Sequence, residues 1–215
     1  MSIEIDFEKY ITNQKKSVDT YSKYDFIARE SGDRLLDKLD DIIFNSHNNP
    51  KNILNIGSKI GRLTGKLSNK FPDANIYEIE LTSEMLIKSR NNKNNKINFI
   101  QADFERLPFL DNSFDLIISN QALHYFDFKA VLKDVSRILN NKGLFLFSAL
   151  GPDSFKELKN AWLKIDNLPH VHEFWDMHIY GDILKKLDFI DPVMDCQWVN
   201  FNYKDLNKLF LDLKF

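Results

Sequence analysis

Glycine and polar residues recur at regular distances where the apolar runs of this chain end. Gly57 and Gly61 frame a Gly-Ser-Lys-Ile-Gly loop, and Glu80 lies 23 residues after Gly57. Asp103 follows after a further 23 residues, and Asn120 ends the next apolar run. Glycines let a backbone approach a ligand closely, one carboxylate can accept both hydroxyls of a ribose, and a second can accept from the exocyclic amine of a base. The order and spacing of these residues predict a nucleoside-binding site.

Neighbouring residues would complete that site, although each position also has a plainer interpretation. Asn55 and Ser58 flank Gly57, and the ring of Phe104 would lie beside the base. By itself the loop is compatible with an ordinary turn between a strand and a helix, and Glu80 with a surface carboxylate. The loop is not a P-loop, because no Gly-Lys-Ser/Thr follows at the required spacing.

Strands and helices that could position these residues alternate along the chain. Apolar runs predict strands near 52–57, 75–81, 97–102, 114–120, 143–150 and 193–203. Apolar residues at helical spacing predict helices near 23–45, 63–71, 83–87, 131–139, 153–165, 180–187 and 205–213, whereas residues 1–20 show little periodicity. This alternation predicts an α/β fold with a mostly parallel, doubly wound sheet. Ligands bind such a sheet beyond the carboxyl ends of its strands, where the strand order reverses.

Composition and charge exclude several classes of protein. The 215 residues include 29 Lys and Arg against 31 Asp and Glu, so the chain lacks the basic excess that nucleic acid or an anionic membrane would require. The longest apolar run, 144–150, is much shorter than a membrane span of roughly 18 residues, and the acidic N-terminus is unlike a signal or transit peptide. Cys196 is the only cysteine, which excludes an internal disulfide. We expect a cytoplasmic, globular protein.

The histidines do not indicate a metal site. His170 and His172 lie two residues apart in a predicted loop, and no third ligand is evident near them. A cysteine cluster is excluded because the chain has one cysteine. Packing of the loop or contact with a substrate is the favoured interpretation of the two histidines, and no metal is expected.

Several longer segments resemble known enzymes. Residues 103–125 resemble the central motif of class I S-adenosylmethionine-dependent methyltransferases of the type 11 kind, and ELTSEML at 80–86 resembles their second motif. GPDSFKELKNAW at 151–162 and the stretch 166–195 are similar to the BioC family, the malonyl-[acyl-carrier protein] O-methyltransferases of biotin synthesis. The segment 23–39 resembles the N-terminal helix of that family.

This resemblance implies a reaction and a set of site residues. The reaction would be methyl transfer from S-adenosylmethionine to the free carboxylate of a malonyl group on acyl carrier protein, without a metal. Tyr24 would position the two substrates; a half-buried aromatic of the first helix is the alternative for this residue. The residues expected to bind S-adenosylmethionine are Asn55, Gly57, Ser58, Gly61, Glu80, Leu81, Met85, Asp103, Phe104 and Asn120.

The resemblance also implies an architecture. One methyltransferase domain would span residues 1–215, with a helical lid at 1–46, a nucleoside-binding core at 51–150 and substrate-side elements at 151–215. The sheet would be Rossmann-like, with strand order 3-2-1-4-5-6. Because nothing after Tyr203 predicts a strand, we expect the family's seventh, antiparallel strand to be missing.

The glycine loop departs from the pattern of that family. Asn55 stands where the family has an acidic residue, and Lys59 stands where it has the middle glycine. If φ is positive there, a residue other than glycine costs about 1–2 kcal/mol. The Lys59 ammonium would also lie near the sulfonium of S-adenosylmethionine. Ser17, Thr20 and Tyr21 replace the aromatic residue and alanines that precede the Tyr24 position in the family.

Three functions therefore stay open from the sequence. The chain could be a malonyl carrier-protein methyltransferase, a non-catalytic relative with weakened S-adenosylmethionine binding, or an enzyme of another activity on this fold, such as the arginine-hydroxylating assembly proteins. The segment PHVHEFWDMH at 169–178 favours the first function over the third. Asn55, Lys59 and the expected missing strand favour the second.

Overall fold

A computed structural model describes residues 7–46, 49–91, 96–168 and 170–213. Residues 1–6 of the predicted lid and Pro169 lie outside this description. The chain divides into two compact units, a larger one of residues 7–149 with 201–213 and a smaller one of residues 150–200. The single domain over residues 1–215 stays a prediction.

The larger unit contains a five-stranded parallel sheet in the order β3-β2-β1-β4-β5. Its strands are β1 Asn52–Ile56, β2 Asn75–Glu80, β3 Ile97–Gln101, β4 Phe114–Asn120 and β5 Leu139–Ser148. The strand order reverses beside β1, so the carboxyl ends of β1 and β4 form the switch point at which such sheets bind ligands. The predicted α/β class and the order of the first five strands are confirmed.

Helices precede the sheet, connect its strands and follow it. In the larger unit they are α1 Phe7–Ser17, α2 Tyr21–Tyr24, α3 Phe26–Ser46, α4 Arg62–Lys70, α5 Ser83–Arg90, α6 Phe128–Ile138 and α9 Leu206–Leu213. The smaller unit contains α7 Lys156–Trp162 and α8 Met177–Lys186. None of these helices, within the described part of the chain, is long and apolar enough to cross a membrane.

The sheet is buried on both faces. Successive side chains of a strand point to opposite faces, so Ile53 and Leu54 of β1 face opposite sides, and both are fully buried. On the Ile53 face, Leu39 of α3 and Leu67 of α4 belong to one apolar cluster with strand residues. This packing holds the N-terminus of α4 against the end of β1, where the glycine loop lies.

The smaller unit has its own packing. Tyr180, Ile183 and Leu184 are the buried residues of α8. The ring of His170 stacks on Trp162 with centroids 4.0 Å apart, and its Nε2 atom lies 2.8 Å from Asp166 Oδ1. These contacts account for His170 as a packing residue of its loop.

The predicted sixth strand at 193–203 is wrong, because these residues form no regular secondary structure. Val193 is 88% exposed and Trp198 is 69% exposed, so the alternating pattern does not produce a buried face. A strand requires backbone hydrogen bonds to a neighbour as well as a suitable pattern of side chains. Within the described residues the sheet ends at β5, and the predicted order 3-2-1-4-5-6 holds only for its first five members.

Two further boundaries differ from the sequence prediction. The sequence predicts a helix near 131–139 and a strand near 143–150, but β5 already begins at Leu139 and passes through residues 140–143 with a register shift against β4. Asn140 donates from Nδ2 to Asp115 Oδ1 at 2.7 Å, which ties the early part of β5 to β4. The helix α1 was not predicted, because its buried residues, Gln14 and Ser17, are polar and give no apolar periodicity.

Candidate active site

The glycine loop lies directly after β1 and contains three residues in the left-handed region. Gly57 has φ 73°, Lys59 has φ 54° and Gly61 has φ 74°. The N–H of Gly57 donates to the carbonyl oxygen of Ile79 at 2.9 Å, which fastens the loop to the end of β2. The φ angle of Lys59 is therefore positive, and this lysine carries a backbone strain that glycine would not.

Two polar side chains of the loop region are buried with unused hydrogen-bonding capacity. Asn55 donates from Nδ2 to Thr64 Oγ1 of α4 at 2.9 Å. Its Oδ1 atom and the hydroxyl of Ser58 have no hydrogen-bond partner among the described residues. Both residues line a cavity of about 40 Å³. Buried polar atoms without partners are costly, so these two atoms indicate a place for a polar ligand.

Glu80 ends β2 as a buried carboxylate, only 1% exposed. Its Oε1 atom accepts the backbone N–H of Lys59 at 2.6 Å, and its Oε2 atom accepts the backbone N–H of Leu81 at 3.0 Å. The interpretation of Glu80 as a surface carboxylate is therefore wrong. The carboxylate instead connects the glycine loop to the beginning of the segment that leads into α5.

The Lys59 side chain lies between this carboxylate and the helix α1. Its Nζ atom donates to the hydroxyl of Tyr10 at 2.9 Å and lies 4.0 Å from Glu80 Oε1. Burial is the largest single effect on the Lys59 ammonium and lowers its pKa, but the combined effects of Tyr10, Glu80 and Tyr21 outweigh it and raise the pKa. Burial raises the pKa of Tyr10, against an opposing effect of Lys59. At neutral pH the contact therefore joins a charged ammonium to a neutral phenol.

Two elements near the N-terminus cover the loop and Glu80. The ring of Tyr10 on α1 lies 4.9 Å from that of Tyr125, which follows β4. Tyr21 of α2 is buried in a cluster with Ile60 of the loop and Met85 of α5. The predicted site residue Met85 thus forms part of the wall beneath α2, and Leu81, also predicted, contributes its N–H to Glu80.

The predicted base-binding residues lie near the loop but differ in exposure. Phe104 is fully buried, and its ring lies 3.5 Å from the position of a Cβ added to Gly57. Asp103 is exposed, and its Oδ1 atom accepts the N–H of Glu105 at 2.9 Å. The structure therefore brings Phe104 against the glycine loop and leaves the Asp103 carboxylate at the surface.

Asn120 connects three elements through its side-chain amide. Its Nδ2 atom donates to the carbonyl oxygen of Ala28 on α3 at 2.5 Å. Its Oδ1 atom accepts from Ser31 at 2.8 Å and from Ser148 of β5 at 2.6 Å. Asn120 also lines the cavity, so a ligand there would have to share or replace these bonds.

Tyr24 ends α2 and is half-buried. Among the described residues that line the cavity, the same segment contributes Tyr21 and Asp25 instead. Asp25 is buried and pairs with Arg62, the first residue of α4, at 2.8 Å. The positioning role of Tyr24 stays a prediction.

Sequence reasoning missed Tyr10 and Asp25 as site residues and singled out Lys59 only as a departure from the family pattern. Tyr10 lies in a segment without apolar periodicity, so no pattern marked it. The presence of a lysine where the family pattern has glycine was a sequence signal that could have identified Lys59 as a site residue. The described residues contain no group of three or more His, Cys, Asp or Glu side chains that could hold a metal ion.

Comparison with known proteins assigns the family. A profile of the methyltransferase domain matches residues 54–147, which span β1 to β5. Malonyl-[acyl-carrier protein] O-methyltransferase of Legionella pneumophila is 34% identical over 93% of this chain and 70% of its own length. The chain belongs to this methyltransferase family. The relatives of the same name from Nitrosospira multiformis and Coxiella burnetii are 32% and 35% identical, over 93% and 91% of this chain and 70% and 65% of their own lengths.

Solved methyltransferase structures share the fold of this family member. Phosphoethanolamine N-methyltransferase 2 of Haemonchus contortus, in complex with S-adenosyl-L-methionine, superimposes with a TM-score of 0.67 at 20% identity, over 87% of this chain and 45% of its own. A possible histamine N-methyltransferase from Thermotoga maritima gives a TM-score of 0.63 at 18% identity, over 84% and 81%. These likenesses establish a Rossmann-like class I methyltransferase fold.

Proposed function

We propose that this chain transfers a methyl group from S-adenosylmethionine to the free carboxylate of a malonyl group on acyl carrier protein, a step of biotin synthesis. The observation that carries the proposal is the identity of 32–35% with three proteins named for this reaction. The glycine loop at the switch point and the buried Glu80 carboxylate at the end of the neighbouring strand β2 support a nucleoside site of the required kind. Acyl carrier protein would be the partner, and a cytoplasmic location stays a prediction.

The loop residues fit S-adenosylmethionine. Its amino-acid part carries an ammonium, which the free Asn55 Oδ1 can accept from, and a carboxylate, to which the Ser58 hydroxyl can donate. Gly57 and Gly61 supply the left-handed turns at which the backbone comes close to the ligand. A carboxylate has about four acceptor positions, and two of those on Glu80 hold backbone N–H groups. The remaining positions could accept the ribose hydroxyls.

The rest of the proposed site surrounds these residues. Leu81, Met85 and Phe104 would provide apolar walls and the ring beside the base. Asp103 would accept from the exocyclic amine of the base, exchanging its present bond to the N–H of Glu105. Asn120 would hold the N-terminal turn of α3 beside the cavity through its bond to Ala28.

The reaction requires positioning more than proton transfer. S-adenosylmethionine supplies an electrophilic methyl group bonded to a sulfonium, which becomes a neutral thioether after the transfer. A carboxylic acid is ionised at neutral pH, so no residue of the chain has to remove its proton. The carboxylate oxygen forms its bond to the methyl carbon as the carbon–sulfur bond breaks. The chain would hold the two groups in line and exclude water, with Tyr24 as the positioning residue.

Transfer of a labelled methyl group tests this proposal. The purified chain is incubated with methyl-labelled S-adenosylmethionine and with malonyl-loaded acyl carrier protein. Acetyl-loaded carrier protein is the matched control, because it lacks the free carboxylate. We expect label on the malonyl carrier only, in a form that mild base releases as methanol.

Two results would overturn the proposal. Equal labelling of the malonyl and acetyl carriers would contradict the assignment of the carboxylate as acceptor. No labelling, in a preparation that binds S-adenosylhomocysteine, would contradict the assignment of an enzyme and leave the non-catalytic alternative.

A further inference from the structure

Lys59 borders both the cavity at the glycine loop and the Glu80 carboxylate. Lys59 lines this cavity and its Nζ atom lies 4.0 Å from Glu80 Oε1. Glu80 is 1% exposed and is not among the described residues that line the cavity. Lys59 therefore lies beside the carboxylate on the part of the loop that lines the cavity, whereas Glu80 itself does not line it.

The ammonium also lies close to the space that a ribose hydroxyl bonded to Glu80 would occupy. A hydroxyl bonded to a carboxylate oxygen lies about 2.7 Å from it, and an ammonium at 4.0 Å from Oε1 occupies the neighbouring space. The second contact of Nζ, to the Tyr10 hydroxyl at 2.9 Å, holds the ammonium there from the side of α1. In the described part of the chain, no other lysine both lines the cavity and contacts Glu80.

We infer that the Lys59 ammonium competes with nucleoside ligands for the Glu80 carboxylate. A ligand must displace this ammonium before it binds. The inference rests on the proposed function, because it takes Glu80 as the acceptor of the ribose hydroxyls. The backbone N–H of Lys59 can stay bonded to Glu80 Oε1 while the side chain moves, since the two contacts come from separate atoms. Displacement of the side chain also breaks its bond to Tyr10, so ligand binding is coupled to release of that contact with α1.

Binding of S-adenosylhomocysteine to a Lys59→Met variant tests the competition. Methionine keeps a long side chain and the left-handed backbone but removes the ammonium. A change in affinity therefore cannot be caused by relief of backbone strain. We expect the dissociation constant, measured by calorimetry, to fall about tenfold, since the ion pair between Lys59 and the buried Glu80 carboxylate is lost from the free protein. S-adenosylhomocysteine carries no sulfonium, so repulsion between two cations cannot produce this gain.

A double-mutant comparison locates the effect at Glu80. In a Glu80→Gln background, the change Lys59→Met should alter affinity by less than about twofold, because the contact that it removes is already weakened. Lys70→Met is the control for loss of one positive charge, since Lys70 ends α4, on the side away from the glycine loop, and pairs with Asp40 of α3. The affinity of the Lys70→Met variant for S-adenosylhomocysteine should equal that of the unmodified chain. Tyr10→Phe offers a second route, because it removes the hydroxyl that holds the ammonium and should give a smaller gain.

The outcomes separate this inference from the proposed function. The measurement needs neither acyl carrier protein nor methyl transfer, so a wrong acceptor would not affect it. Unchanged or weaker binding by Lys59→Met would overturn the competition, as would a gain for S-adenosylmethionine alone, which would place the ammonium at the sulfonium. A gain of the same size in the Glu80→Gln background would also overturn it, because the effect would not pass through Glu80.

Discussion

A Cβ atom added to Gly57 would lie 2.3 Å from the Cβ atom of Ala122, far inside van der Waals contact. This proximity brings the turn after β1 against the turn after β4, at the switch point of the sheet. The φ of 73° at Gly57 adds a second reason for glycine at this position. We expect Gly57→Ala to lower the free energy of unfolding by more than about 2 kcal/mol, measured by urea denaturation.

Gly151→Ala is the matched control for that change. No heavy atom lies within 4 Å of a Cβ added there, and its φ is not positive. We expect a change in unfolding free energy within about 0.5 kcal/mol. Equal stability of the Gly57→Ala and Gly151→Ala variants would contradict the close approach at Ala122.

Removal of the Glu80 side chain should weaken nucleoside binding. Hydrogen bonds to a charged group are worth roughly 1.5–3 kcal/mol each, so Glu80→Ala should raise the dissociation constant of S-adenosylhomocysteine tenfold or more. Calorimetric titration checks the value. Glu84→Ala serves as the control, since it deletes an exposed carboxylate that pairs with Lys15. An affinity of Glu80→Ala equal to that of the control would remove Glu80 from the site.

The sequence was sufficient to predict the five strands of the sheet but not the structure of residues 193–203. The runs that became β1 to β4 are short, apolar and bounded by turn residues, and a strand buried on both faces needs little more than this. The segment 193–203 has a similar alternation of residue types, but a strand also depends on a neighbour that the pattern does not encode. The sequence therefore predicted five strands correctly and a sixth incorrectly.

The site was predictable where one residue determines the geometry. Gly57 and the position of Lys59 follow from the loop motif, because positive φ restricts the residue type. The contact of Lys59 with Tyr10 joins residues 49 positions apart, from a helix whose buried face is polar. Such a contact arises from tertiary packing and leaves no periodic signal in the sequence.

Asp115 should make the fold sensitive to acid. Its carboxylate accepts the backbone N–H groups of Lys51 and Asn52 at 2.9 and 3.0 Å, and the side-chain amide of Asn140 at 2.7 Å. Partial burial would raise the pKa of Asp115, but these hydrogen bonds outweigh it and lower the pKa. The stabilisation is therefore complete above the unfolded pKa of about 3.9 and is lost as the pH falls through the folded value.

We expect Asp115→Asn to be less stable at pH 7 by about 1 kcal/mol, a modest value because the carboxyl is partly exposed. The difference from the unmodified chain should shrink below about pH 4, where both side chains are neutral. Thermal unfolding at a series of pH values checks this trend. Asp73→Asn, the same chemical change at an exposed position, should show no difference at any pH. A difference for Asp115→Asn that does not vary with pH would contradict the ionic contribution.

The last prediction concerns Asn55, which stands where the pattern of the resembled family has an acidic residue. Its buried Oδ1 atom has no partner within the described residues, and its Nδ2 atom donates to Thr64. Asn55→Asp would place a negative charge there, and the neutral hydroxyl of Thr64 compensates such a charge less well than a cation does. We expect a lower melting temperature for the ligand-free variant, because a buried carboxylate without a cation is costly. With S-adenosylmethionine, the ammonium would supply that cation, and affinity should rise about tenfold.

The control for Asn55→Asp is a ligand rather than a second variant. Methylthioadenosine has the same nucleoside but lacks the amino-acid part, so it cannot supply an ammonium to the new carboxylate. Its affinity should fall or stay unchanged in Asn55→Asp while that of S-adenosylmethionine rises. Calorimetry of both ligands on both proteins gives the four values. A gain shared equally by the two ligands would show that Asn55 does not face the ammonium. The proposal that the amino-acid part of S-adenosylmethionine lies at Asn55 would then be wrong.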